Sequence, residues 1–128
     1  MREIKFRGFQ KSWIYGGVSV FENEATIFDI DCVVNSAYEV DIKSIGQYTG
    51  LKDKNGVEIY EGDIVNDDEL GKGIVVFQSG CFFMMYGSDI NMEFLGLKTD
   101  KFGRLQQKRI VEIIGNIHEN PELLESLN

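Results

Sequence analysis

The stretch Ile45–Val65, IGQYTGLKDKNGVEIYEGDIV, decides how the chain folds. Asn55-Gly56 supplies two residues that tolerate positive φ, so the pair predicts a type I′ hairpin turn. Beyond it, Val57 and Ile59 alternate with Glu58 and Tyr60, the period of a half-buried strand. On the other side Tyr48 and Thr49 favour extended backbone, and Gly50 interrupts the run. Glu61-Gly62-Asp63 then forces a second turn before Ile64-Val65 begins another strand.

The same grammar extends outward in both directions. Ile4 and Phe6 alternate with Glu3, Lys5 and Arg7, predicting a first strand ended or bulged by Gly8. Trp13, Tyr15, Val18 and Val20 predict two strands meeting across Gly16-Gly17, and Ala25 to Val34 reads as extended. Downstream, Ile74-Val75-Val76-Phe77 is a continuous run that suits a strand covered on both faces, and Cys81–Tyr86 (CFFMMY) is again fully apolar. Arg109 to Ile114 returns to a β-branched pattern. Near the end, Asn120 as N-cap, Pro121 at the first position and Glu122 beside it predict a short helix. Its apolar stripe would be Leu123, Leu124 and Leu127.

Fourteen glycines against one proline among 128 residues fit many tight turns between short strands. With no linker-like shift in composition and no internal repeat, residues 1–128 read as a single domain. The fold class expected is mainly β: a small β-barrel or two packed antiparallel sheets, with a short C-terminal helix. Gly62–Val65 followed by Gly73–Phe77 resembles the first hairpin of SH3-like barrels.

The net charge of −8 disfavours non-specific contact with a phosphate backbone. Two local basic clusters stand against that balance: Arg2, Lys5 and Arg7, then Lys101, Arg104, Lys108 and Arg109. The second, with nearby aromatics, is the candidate surface in an alternative reading as a small nucleic-acid-binding barrel. The charged, alternating amino terminus lacks the apolar core of a signal peptide, and no apolar run approaches a membrane span. A soluble protein of the cytoplasm is expected.

No catalytic, cofactor or metal residue emerges. Asp29 and Asp31 share a strand face, as in some divalent-metal sites, but the solvent face of a strand gives the same pattern. A metal-dependent enzyme built on them with Glu61 or Asp63 ranks last. Asp67-Asp68-Glu69 lacks the order of a calcium loop. His118, the only histidine, precedes the helix cap with no nucleophile motif in view. Cys32 and Cys81 sit among apolar neighbours, as small buried hydrophobes do.

The motifs YTG, KDKNG, EIYEGD and IV in that order resemble the YopX family of small bacteriophage and prophage proteins. REIKFR at the start and EIIGNIHENPELLE near the end resemble the family's opening and closing segments. Together with the central stretch they cover about a third of the 128 residues. The chain departs from the pattern at Gly8-Phe9-Gln10, and residues 66–108 carry no quotable match. The resemblance implies a predominantly β, phage-borne protein without assigned activity. The two outer motifs are expected to pair, placing Ile4–Phe6 beside Arg109–Ile114. The function expected is non-catalytic, through contact with a host or phage protein or through homo-oligomerisation. Tyr48, Tyr60, Leu123, Leu124 and Leu127 are the candidate contact residues.

Overall fold

The computed structural model describes residues 4–29, 37–86, 91–94, 97–99, 105–107 and 110–123. The chain divides into two compact units, Met1–Gly50 and Leu51–Asn128.

In the first unit, β1 (Phe6–Phe9), β2 (Trp13–Phe21), β3 (Glu24–Asp29) and β4 (Ala37–Lys52) form an antiparallel sheet in that order. β1 pairs with β4 as well as β2, so the sheet curls back on itself. Alternation along the strands turns Ala25, Ile27 and Val40 fully inward, with Phe6, Ile14, Val18 and Ile45 packed around them. Gly8 is needed where it stands: a Cβ there would lie 2.6 Å from Val40 Cγ2. Past Arg7 the β1–β4 register slips, because Arg7 faces Gly46 while Phe9 faces Asp41. The Ser44 hydroxyl occupies the irregularity, accepting from the Phe9 N–H at 2.7 Å and donating to the Asp41 carbonyl at 2.6 Å.

In the second unit, β5 (Glu58–Tyr60) folds back on the end of β4 as a hairpin. β6 (Asp63–Asp67), β7 (Gly71–Gln78), β8 (Cys81–Tyr86), β9 (Asn91–Phe94) and β12 (Val111–Asn116) form an antiparallel sheet ordered β12-β6-β7-β8-β9. β10 (Leu97–Thr99) and β11 (Leu105–Gln107) pair with each other. Leu51, Ile59, Val65, Val75, Phe82, Met84 and Val111 make the core, flanked by Leu70, Tyr86 and Ile113.

Of the two folds expected, the strands take antiparallel sheets and not one clean barrel, and the β6–β7 hairpin is present. Other expectations are corrected. Trp13 to Val20 does not make two strands meeting across Gly16-Gly17: Trp13–Phe21 is the single strand β2. The β7 run is not covered equally on both faces: Val75 is buried while Phe77 is 41 % exposed. Apolar composition hid the alternation, since both faces carry apolar side chains. The opening and closing strands do not pair, because β1 bonds to β2 and β4 whereas β12 bonds to β6. Of the expected C-terminal helix, residues 124–127 lie outside the described residues; residues 121–123 form a 3₁₀ turn, closed by the Leu123 N–H on the Asn120 carbonyl at 3.0 Å. The Asn120 side chain does not cap that turn. It reaches back to accept from the Asn116 N–H at 3.2 Å.

Candidate functional site

The densest polar geometry lies in the second unit, where side-chain acceptors hold the turns of the central motif. Asp53 opens the hairpin loop. Its backbone N–H donates to the Val57 carbonyl at 2.8 Å, and its carbonyl accepts from Gly56 at 3.0 Å. Among the turn residues only Gly56 has positive φ (+82°), and Asn55 does not. The turn is therefore type I over Lys54-Asn55, followed by a left-handed glycine bulge, and not the expected type I′. What selects it is Asp53: Oδ1 accepts from the Asn55 and Val57 N–H groups, both at 2.9 Å, and Oδ2 from Ile113 N–H at 3.1 Å. Burial pushes the Asp53 carboxyl upward. The three backbone donors, with the Lys54 charge adding to them, outweigh that push and hold it below the ordinary carboxylate value of 3.8.

Two further aspartates work the same way. Asp63, almost wholly buried, accepts from the Tyr60 N–H at 2.8 Å across Glu61-Gly62, where Gly62 has φ +95°. Asp67 Oδ1 accepts from Glu69 and Leu70 at 2.8 and 2.9 Å, closing the acidic loop between β6 and β7. Asn116 repeats the device at the end of β12, its Oδ1 accepting from His118 and Glu119 at 3.0 and 2.8 Å. Each is a short polar side chain that satisfies turn donors the ladder leaves over.

Most residues singled out from the sequence take other places. Tyr48 and Tyr60 are 6 % and 2 % exposed, so they are interior rings and not surface offered to a partner. Tyr48 carries the Lys5 ammonium 5.2 Å from its ring centroid, and Tyr60 donates its hydroxyl to Glu58 at 3.2 Å. Arg7 is buried with its guanidinium 4.4 Å above the Trp13 ring, and Phe9 meets Trp13 edge-on at 5.2 Å. Neither cation is a loose member of a basic patch. Leu123 is half-buried, whereas Leu124, Leu127, Lys101, Arg104, Lys108, Arg109, Asp31 and Cys32 lie outside the described residues, as does the side chain of Asp29. His118 is exposed, and Cys81 is half-buried with a free thiol. Among the described residues no group of three or more His, Cys, Asp or Glu side chains is arranged to hold a metal ion. No described helix is long and apolar enough to cross a membrane.

Asp53 and Asn116 escaped the sequence reading. The signal for Asp53 was available: Asp at the first position of a type I turn and Gly at the fourth is the favoured pattern, and Asp53-Lys54-Asn55-Gly56 has both.

Comparison with known proteins follows the same motifs. The family model described as YopX protein matches residues 5–125, spanning both units. The chain belongs to the YopX family. A similar solved structure is that of protein EF1440 from Enterococcus faecalis. It is 29 % identical over 97 % of this chain and 99 % of its own, with a TM-score of 0.53. Among curated proteins none matches significantly. The YopX motifs KDKNG, EIYEGD and GNIHEN each contain one of the turn-locking side chains, Asp53, Asp63 and Asn116.

Proposed function

We propose that this YopX-family chain is a non-catalytic accessory protein of phage or prophage origin, acting in the bacterial cytoplasm through protein contact or self-assembly. The observation that supports this reading is the employment of the motif carboxylates. Asp53 and Asp63 of the central motif, and Asp67 just beyond it, accept from backbone N–H groups at turns, an arrangement that fixes shape. A general base instead needs an acceptor aimed at a substrate proton. The net charge of −8 weighs against a nucleic-acid partner.

Contact surface is available elsewhere. In the first unit Phe21 and Phe28 are 74 % and 50 % exposed, and the β2–β3 register, which sets Phe28 opposite Gly17 and Phe21 opposite Glu24, puts them on one face of the hairpin. Exposed aromatic side chains are characteristic of protein contact sites. Light scattering across a concentration series tests the self-assembly form directly. The parent chain is expected to exceed monomer mass, and Phe21→Ser with Phe28→Ser to return it to monomer. A parent that stays monomeric at the highest concentration contradicts self-assembly.

A further inference from the structure

Asn55-Gly56 is the one Asn-Gly pair in the sequence. Such a pair carries its own chemistry, because glycine has no side chain to shield its amide nitrogen from the asparagine before it. Asn55 and Gly56 are both exposed, and a Cβ built on Gly56 meets nothing within 4 Å. The turn nevertheless keeps the reacting atoms apart. Asn55 takes the second central place of a type I turn, where ψ is about 0°. Closing a five-membered ring on its Cγ needs a different ψ. The Gly56 N–H donates to the Asp53 carbonyl at 3.0 Å, and Asp53 Oδ1 holds the N–H groups of Asn55 and Val57, each at 2.9 Å.

We propose that Asn55-Gly56 is a modification site, converting through a succinimide to isoaspartate, and that the Asp53 lock sets its rate. The Gly56 amide gives its proton to hydroxide, and its nitrogen bonds to Asn55 Cγ. The Cγ–Nδ2 bond breaks, and Nδ2 leaves as ammonia after taking a proton from water. Water then adds to one ring carbonyl and the ring C–N bond there breaks. Opening at Cγ gives aspartate, and opening at the backbone carbonyl gives isoaspartate. Both products strain the turn. The Nδ2 that donates to Glu112 Oε2 at 3.4 Å gives way to a carboxylate oxygen, setting two negative charges together. Isoaspartate also adds a methylene to the backbone between the two N–H groups that Asp53 Oδ1 accepts from. The lock therefore shields the residue whose conversion would undo it.

The test incubates the full chain in mildly alkaline buffer and follows the tryptic peptide 55–72 by mass spectrometry, with an isoaspartyl methyl-acceptor assay beside it. Asn66, in β6 of the same peptide and followed by Asp67, is the internal reference. The denatured parent is expected to convert Asn55 well ahead of Asn66, and the folded parent to convert it far more slowly. Asp53→Ala removes the Asp53 acceptor oxygens and should raise the folded rate about tenfold, the gain in open turn that losing one charge-assisted bond allows. Asp53→Asn, which keeps one acceptor oxygen, should fall between. Asp63→Ala loosens a different turn and is expected to leave the rate at Asn55 unchanged. Equal conversion of Asn55 and Asn66 in denaturant overturns the site. Equal rates in folded and denatured parent, or in Asp53→Asn and the parent, overturn the lock. So does acceleration by Asp63→Ala to the level of Asp53→Ala, which would make global stability the control.

Discussion

The two units solve the same problem with different means. Among the described residues, the second buries seven apolar side chains in one cluster and locks its turns with buried Asp53, Asp63 and Asp67. The cluster of the first has three, and that unit leaves Ile4, Val20, Phe21 and Phe28 at half exposure or more, against Val57 and Ile110 in the second. Where turns are pinned by side-chain acceptors, strands can be short and still keep register, as three-residue β5 does. Where they are not, longer strands such as β2 and β4 carry the pairing, and apolar side chains are left for other uses. The motifs that mark the family are therefore concentrated where geometry is tightest.

Core truncation breaks this comparison most forcefully. Met84→Ala, at a fully buried site, is expected to cost about 3–4 kcal/mol, and Ile27→Ala in the leaner cluster about 2 kcal/mol. Chemical denaturation measures both. Equal costs would show that the first unit is as tightly packed as the second. Next in size is Gly8→Ala, because the added methyl meets the β-branched Val40, which has little freedom to move aside. A loss of about 1–3 kcal/mol is expected; a neutral result would mean the β1–β4 junction yields.

The acid limb sharpens the contrast further. The Asp53 carboxyl is depressed in the folded state, so its stabilisation is present above the ordinary value of 3.8 and is lost as pH falls through the lower folded value. Asp53→Asn should flatten the stability profile below about pH 4 and leave its neutral shape unchanged. A melting series from pH 2 to 7 checks the sign. The smallest effect concerns the β7–β8 turn, where Ser79 and Gly80 have φ of +54° and +79°. Ser79→Asn places the residue a type I′ turn prefers, and should raise stability by about 0.5 kcal/mol.

Much of the architecture could be read from the chain because alternation and glycine carry it. Phe6, Val18, Ile27, Ile59 and Val75 fall inward as the period demands. The failures share a cause. Ile74–Phe77 and CFFMMY are apolar on both faces, so composition erased the period that burial restores. The Asn120-Pro121 pair suits a helix start, yet the Asn120 side chain is drawn to the Asn116 N–H, and only a single 3₁₀ turn is described after it. Tyr48 and Tyr60, expected as contact rings, are interior, and Glu58 satisfies the Tyr60 hydroxyl within the fold. The strand partners of β1 and β12 involve residues far apart along the chain, which local patterning does not encode.

Denaturant unfolding of Asp63→Ala tests most directly whether the motif carboxylates build the scaffold. Removal leaves the buried Tyr60 N–H without its acceptor, so the midpoint should fall by the equivalent of about 1–3 kcal/mol. An Asp63→Ala protein as stable as the parent, yet deprived of a ligand or an activity, would contradict the account.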